Sequence, residues 1–214
     1  TVSLSDDGGG LDTSASQTFV LTSTAVNDTP VFIVGADQSV VEDSGVQTVS
    51  GFATGISAGP SDESGQVLSF NTSVVSSDAS AFSTAPSISS NGTLSYAFAN
   101  DFNGSVTVTV SLSDDGGGLD TSGSQTFVLT STSVNDTPVF TVGADQSVVE
   151  DSGVQTVIGF ATGISAGPSD ESGQVLSFTT SVVSSDASAF STAPSISSNG
   201  TLSYAFANDF NGSV

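Results

Sequence analysis

Apolar and polar residues alternate with a period of two through most of this chain, and no segment keeps the 3.6-residue apolar period of a helix. Val106, Val108, Val110 and Leu112 fall on one side while Thr107, Thr109 and Ser111 fall on the other. Leu94, Tyr96 and Phe98 alternate with Ser95 and Ala97. Leu68, Phe70, Thr72 and Val74 form another such run, and Phe127 and Leu129 another. β-Branched residues and glycines dominate, which further disfavours helix. Each run presents one apolar face, as a half-buried antiparallel strand does.

Turn signals separate the runs at Gly59-Pro60, Asn91-Gly92, Asn103-Gly104 and Gly116-Gly117-Gly118. Counting from Pro30, the pattern predicts seven strands: 31–34 (resuming at 39–41), 46–56, 66–76, 86–89, 93–99, 105–113 and 124–134. Seven short strands in a segment of this size predict an immunoglobulin-like β-sandwich, so the expected fold class is all-β.

The strand pattern then repeats. Thr1–Val106 returns as Thr109–Val214, with five differences: Ala15/Gly123, Ala25/Ser133, Ile33/Thr141, Ser50/Ile158 and Asn71/Thr179. Near-identical units at a fixed period describe a tandem array, in which the working property belongs to the array. Asn27-Asp28-Thr29-Pro30 and Asn135-Asp136-Thr137-Pro138 mark the junctions, because proline cannot donate to a ladder and starts a unit cleanly. Residues 30–137 are therefore expected to form one complete module. Residues 138–214 supply the first five strands of the next, and residues 1–29 are the last two strands of a preceding module or of one in another chain. Two arrangements remain open. Either the chain is a slice of a longer covalent array, or residues 1–29 complete module 138–214 of a neighbouring chain by strand donation, giving a head-to-tail filament.

Charge changes the picture. The chain has no Lys, Arg or His against 22 Asp plus Glu, for a formal charge of −22. Side-chain salt bridges are thereby excluded, and each carboxylate must face water, an N–H group or a bound cation. Nucleic acid is excluded as a partner, since affinity for phosphate rests on Lys and Arg, and an anionic membrane surface would repel the chain. No apolar run approaches the ~20 residues of a membrane span. Methionine and cysteine are absent, so a larger polypeptide around this segment is expected and disulfides are not. A Ser/Thr/Gly/Asn-rich surface without thiols points to an extracellular or cell-surface location.

The acids fall in the loops at the two ends of each expected module. At the first junction they gather as Asn27, Asp28, Asp62, Glu63, Asp114, Asp115 and Asp120. At the second, Asn135 and Asp136 come from the linker, Glu42 and Asp101 from one module, and Asp170 and Glu171 from the next. Glu150 repeats Glu42 at the far end of module 138–214. Clustered carboxylates repel unless a cation sits between them, and Ca²⁺ takes six to eight oxygens of this kind. These residues are candidate calcium ligands. Zinc is disfavoured without His or Cys. The competing reading is that Asp and Asn simply form turns, and it is preferred for Asp37, Asp43 and Asp78.

Val26-Asn27-Asp28-Thr29-Pro30-Val31-Phe32 resembles the calcium-binding linker of cadherin repeats. Val41-Glu42-Asp43-Ser44-Gly45, Ser113-Asp114-Asp115-Gly116-Gly117 and Asn91-Gly92-Thr93-Leu94-Ser95-Tyr96 resemble the bacterial cadherin-like and immunoglobulin-like tandem repeats of giant surface proteins and adhesins. The resemblance implies a secreted β-sandwich rod, often stiffened by calcium. Animal cadherins carry a longer acidic linker and an Asp-Arg-Glu segment that this chain lacks, so homophilic adhesion does not carry over.

Catalysis is not expected. The chain has no His or Lys base, no Cys nucleophile and no Arg to hold an anion. Gly116-Gly117-Gly118 lacks the lysine of a phosphate loop. Asp62 and Glu63 are adjacent loop acids rather than an opposed pair across a groove, which disfavours glycoside cleavage. Among the Asn-x-Ser/Thr sequons, Asn103 and Asn211 sit in Asp-Phe-Asn-Gly-Ser and are the candidate glycosylation sites. The expectation is a non-enzymatic extracellular rod, the stalk of a surface adhesin, whose partners are neighbouring copies of the same module. The alternative is a subunit of a strand-donated filament.

Overall fold

Residues 30–137 form two facing sheets in the computed structural model, which describes residues 1–183 and 187–214. The first sheet is ordered β2 (Gln38–Val41), β9 (Gln125–Thr132), β8 (Gly104–Ser113), β5 (Ser69–Ser73). Strand β2 runs parallel to β9, and the other pairs are antiparallel. The second sheet is ordered β3 (Gln47–Val49), β7 (Leu94–Phe98), β6 (Phe82–Ile88). Strand β1 (Val31–Ile33) pairs antiparallel with β4 (Thr54–Ser57).

The inner faces carry the alternation read from the sequence. Leu94 and Tyr96 of β7, Val106, Val108, Val110 and Leu112 of β8, and Phe127 and Leu129 of β9 share one buried cluster. Phe52 meets Phe127 edge-on at 4.6 Å between ring centroids, and Phe32 meets Phe70 likewise at 5.2 Å. Burial of each large side chain stabilises by roughly 1.5–3 kcal/mol, and the twofold alternation means that a one-residue slip of any strand would expose its whole apolar set.

Three strand expectations are corrected. The run 46–56 is two strands, because Gly51 adopts a left-handed φ of 67° between them. That bend turns Phe52 and Ala53 into the core and lets the Ala53 N–H donate to the Gly92 carbonyl at 2.9 Å. Gly92 must stay glycine there: its φ is +84°, and a Cβ would lie 2.1 Å from the Ala53 oxygen. The segment expected at 86–89 begins earlier, at Phe82, with register shifts that disguise its alternation around Pro86. Phe82 is recruited by stacking on Phe98 at 5.0 Å. The strand expected at 66–76 is shorter, covering Ser69–Ser73, and Ser76–Ala81 forms a 3₁₀ turn.

Residues 138–214 reproduce one side of this plan. Strand β10 (Val139–Val142) pairs with β12 (Ala161–Ser165), and β11 (Gln155–Val157), β14 (Leu202–Phe206) and β13 (Phe190–Ile196) form a three-stranded sheet. The stretches 146–149 and 177–181, counterparts of β2 and β5, are not strands. Their ladder partners in the first unit are β9 and β8, and without those the backbone groups have nothing to pair with. Residues 1–29 are the sequence counterparts of 109–137. They form an open hairpin held by isolated bridges at Val2–Gln17 and Ser5–Thr13.

Candidate metal centre

Asp43, Asp101 and Asp136 bring one carboxylate oxygen each within 4.8 Å of one another at the second junction. Three separate segments deliver them. Asp43 ends the turn after β2, Asp101 sits in the turn after β7, and Asp136 belongs to the linker after β9. Asp43 and Asp101 both hold left-handed backbone, with φ of 59° and 57°, a conformation that Asp tolerates better than most residues. The Asp101 N–H donates to Asp43 Oδ1 at 3.2 Å, fixing the two turns against each other.

Two buried glutamates flank the cluster. Glu42 Oε1 accepts the Val134 N–H at 2.5 Å, and Glu171 Oε1 accepts the Asp136 N–H at 2.6 Å. Glu171 reaches the linker from a 3₁₀ turn at Ser169–Glu171, beside exposed Asp170. The second oxygen of each glutamate, Oε2, is buried with no hydrogen-bond partner among the described residues. A buried anionic oxygen without a partner carries its full desolvation cost.

The fields of these acids overlap. Partial loss of solvent, then Asp43, Asp136, Glu42 and Asp170, push Asp101 above the ordinary carboxylate range. Partial loss of solvent, then Glu171, Asp43 and Asp170, push Asp136 the same way. The chain has no Lys, Arg or His side chain to offset these charges, so only protonation or a cation from solution could neutralise the group. The donor set consists of carboxylate oxygens, the ligands of a hard divalent ion such as Ca²⁺.

The first junction is organised differently. Asp28 N–H donates to Glu63 Oε1 at 2.5 Å, repeating the Asp136–Glu171 bond. Asn27 Nδ2 donates to Asp114 Oδ1 at 3.2 Å and to the Leu119 carbonyl at 3.1 Å, and Asn27 Oδ1 accepts from Gln66 Nε2 at 2.6 Å. Asp114 Oδ1 also accepts the Gly116 N–H, and Asp115 Oδ1 accepts the Val67 N–H at 2.8 Å. Asp114 and Asp115 thus clamp the linker and its neighbouring loop through hydrogen bonds. Glu63 Oε2 and Asp114 Oδ2 are again buried without hydrogen-bond partners among the described residues.

Among the remaining candidates, Asp62 is exposed in the turn that carries Glu63. The Asp120 carboxylate accepts from the hydroxyl of its neighbour Thr121 at 3.1 Å. Asn135 accepts from Gln174 Nε2 at 2.9 Å and donates to the Asp136 carbonyl. Glu150 is exposed, whereas its counterpart Glu42 is buried against the end of β9. Asn103 and Asn211 are both exposed. Asp43, read from the sequence as a turn former, is a member of the cluster as well; its place next to Glu42 in Glu-Asp-Ser-Gly was the available signal. Asp37 caps the edge of the sheet, accepting the Val128 N–H at 2.7 Å.

A mainly antiparallel four-stranded sheet facing a three-stranded one, with β1 on β4 and β2 parallel to β9, gives residues 30–137 the form of an immunoglobulin-like sandwich. The family model described as Bacterial Ig domain matches residues 27–128, and that segment is a bacterial Ig domain. Residues 135–214 repeat 27–106 with differences only at 33/141, 50/158 and 71/179. A comparison with curated proteins gives no match.

Proposed function

We propose that this chain is part of an extracellular, non-enzymatic rod, built from modules 30–137 and 138–214 and their repeats, with calcium stiffening the junctions. The observation that carries the reading is the convergence of Asp43, Asp101 and Asp136 within 4.8 Å, flanked by Glu42 and Glu171 with unpartnered buried oxygens. A cation there would draw together the turns after β2 and β7, the linker, and the 3₁₀ turn of the following module. Asp43, Asp101 and Asp136 would hold it, with Glu42, Asp170 and Glu171 close by. Stiffening a junction lengthens the reach of an array, which suits the stalk of a bacterial surface adhesin. Among the described residues, no helix is long and apolar enough to cross a membrane.

Calorimetric titration with CaCl₂ tests this. Extracellular calcium modules bind at about 10⁻⁴–10⁻³ M, and binding in that range that is lost in the Asp101→Asn/Asp136→Asn variant is the expected result. No heat above dilution would remove calcium from the account.

A further inference from the structure

We infer that β2 and β9 form a tension-bearing lock, in which the carboxylates of Asp37 and Glu42 fasten the two ends of a parallel ladder and keep the module closed when the chain is pulled along its length. The inference rests on the rod reading above, which supplies the direction of the load. It goes beyond that reading by naming the element that resists the load.

In an array, tension enters residues 30–137 through the linker before Pro30 and leaves through the linker after β9. Gln38–Val41 of β2 lie beside Leu129–Thr132 of β9, and the two strands run parallel. The loaded ends are the N-terminal end of β2 and the C-terminal end of β9, at opposite ends of one ladder. Pulling them apart slides one strand along the other, so every bond across the pair is strained at once. In an antiparallel pair both loaded ends would lie together, and the bonds would open one after another at lower force. The even spacing of bonds in a parallel pair shares the load along its length.

Side chains lengthen this ladder at both ends. Asp37 Oδ1 accepts the Val128 N–H at 2.7 Å, one residue ahead of the Gln38–Leu129 pair. At the other end the Glu42 N–H donates to the Thr132 carbonyl at 2.9 Å, and Glu42 Oε1 accepts the Val134 N–H at 2.5 Å. Thr132 Oγ1 adds a bond to the Val40 carbonyl at 3.3 Å. A charged acceptor thus closes each end of the ladder, where a bond to a neutral group would be weaker. Glu42 is buried, which shields its bond from competing water. Asp37 reaches β9 from the break between β1 and β2, so the interruption of the first strand is what places this acceptor. Asp145 and Glu150 stand at the same places in the next repeat.

Strand β1 stands ahead of the lock. It pairs with β4 at Val31–Ser57 and Ile33–Thr54. The Gln125 side chain ties it to β9, donating to the Phe32 carbonyl at 2.8 Å and accepting the Val34 N–H at 3.1 Å. This shorter attachment lies before β2 along the path of the load and yields first, after which tension falls on the lock.

The chain has no cysteine, so pairs of introduced thiols choose the attachment points for single-molecule pulling. Thr29→Cys/Asn135→Cys loads the module along its own axis and shears β2 against β9. Asn103→Cys/Asn135→Cys loads the adjacent ends of β8 and β9, beside the Gly104–Ser131 pair, and peels them apart. All three positions are exposed. In EGTA at one loading rate, the first pair should rupture at a several-fold higher force than the second. The events identify themselves by length, with ~300 Å of chain released in the first geometry and ~100 Å in the second, at ~3.4 Å per residue. Under constant load, Asp37→Ala should raise the rupture rate about ten-fold in the shear geometry, because forced unfolding reads the unfolding rate. It should leave the peeling geometry unchanged, since Val128 lies at the end of β9 away from the pull. Asp37→Asn keeps an acceptor oxygen and should fall between the parent and Asp37→Ala. Equal rupture forces in the two geometries, or an Asp37→Ala variant that weakens both alike, would overturn the lock. Because EGTA is present throughout, such a failure leaves the junction cation to its own titration, and a failed titration leaves the lock standing.

Discussion

The backbone N–H of Asp136 donates to Glu171 Oε1 at 2.6 Å, and Asp28 makes the same bond to Glu63 at 2.5 Å one repeat earlier. In each case the glutamate belongs to the module that the linker enters. The following module therefore grips the linker by its backbone before any metal is considered. Hydrogen bonds to an ionised acceptor are stronger than neutral ones, and burial of the carboxylate raises the cost of breaking them.

This grip can be measured at the complete module. Glu63→Ala leaves the Asp28 N–H without its acceptor and should destabilise residues 30–137 by about 1–3 kcal/mol. Glu63→Gln keeps an acceptor oxygen and removes a buried charge, so it should cost less. Urea unfolding of both variants distinguishes them. Equal stabilities would mean that the bond contributes nothing.

Asp101→Asn/Asp136→Asn should change sign with calcium. In EGTA the double variant removes two like charges from a crowded site and should melt at or above the parent temperature. In millimolar Ca²⁺ the order should reverse, because a ligand that binds only the folded state raises its stability by mass action. Paired thermal melts with and without the ion check the crossover.

Protonation should mimic part of this effect. Asp101 and Asp136 both hold their protons more tightly in the folded chain than carboxylates usually do. The folded state thus binds more protons than the unfolded one across that window. Their contribution is most favourable below the ordinary carboxylate pKa, near ~4, and is lost as pH rises through the raised values. Melts in EGTA between about pH 4 and 7 should show this slope, flattened in the double asparagine variant. Calcium, if bound as proposed, should reverse the dependence, since its ligands must be deprotonated.

Gly116 tests the hydrogen-bonded clamp at the first junction. A Cβ there would lie 1.8 Å from Asn27 Oδ1 and 2.4 Å from Gln66 Nε2. Gly116→Ala should expel the Asn27 side chain and break its bonds to Asp114 and Leu119. The expected outcome is faster amide exchange at residues 27–29, with protection of the β8–β9 ladder retained. Unchanged exchange at the linker would show that Asn27 does not hold it.

Much of this was legible in the alternation. Val106 through Leu112 and Leu94 through Phe98 declare their buried faces directly, because a strand turns every second side chain the same way. The repeats also show which positions matter. Ala15, Ala25, Ile33, Ser50 and Asn71, where the copies differ, are all exposed. Breaks in the pattern were harder to read. Gly51 splits one strand and Pro86 hides another, since both depend on what Phe52 and Phe82 find across the core. The split of β1 from β2 depends on two different partner strands, which no local signal specifies. At the junction, loop order around the sandwich was enough to anticipate Glu42, Asp101, Asp136, Asp170 and Glu171 in one neighbourhood. Asp43 escaped because a turn former and a ligand are the same residue type.

The central claim is that divalent cation at Asp43, Asp101 and Asp136 couples one module to the next. Small-angle X-ray scattering of the chain in millimolar Ca²⁺ and in EGTA tests it most directly. The account predicts a longer, narrower distribution of interatomic distances with calcium, absent when Asp101→Asn/Asp136→Asn is added. Superimposable profiles in the two buffers would contradict it.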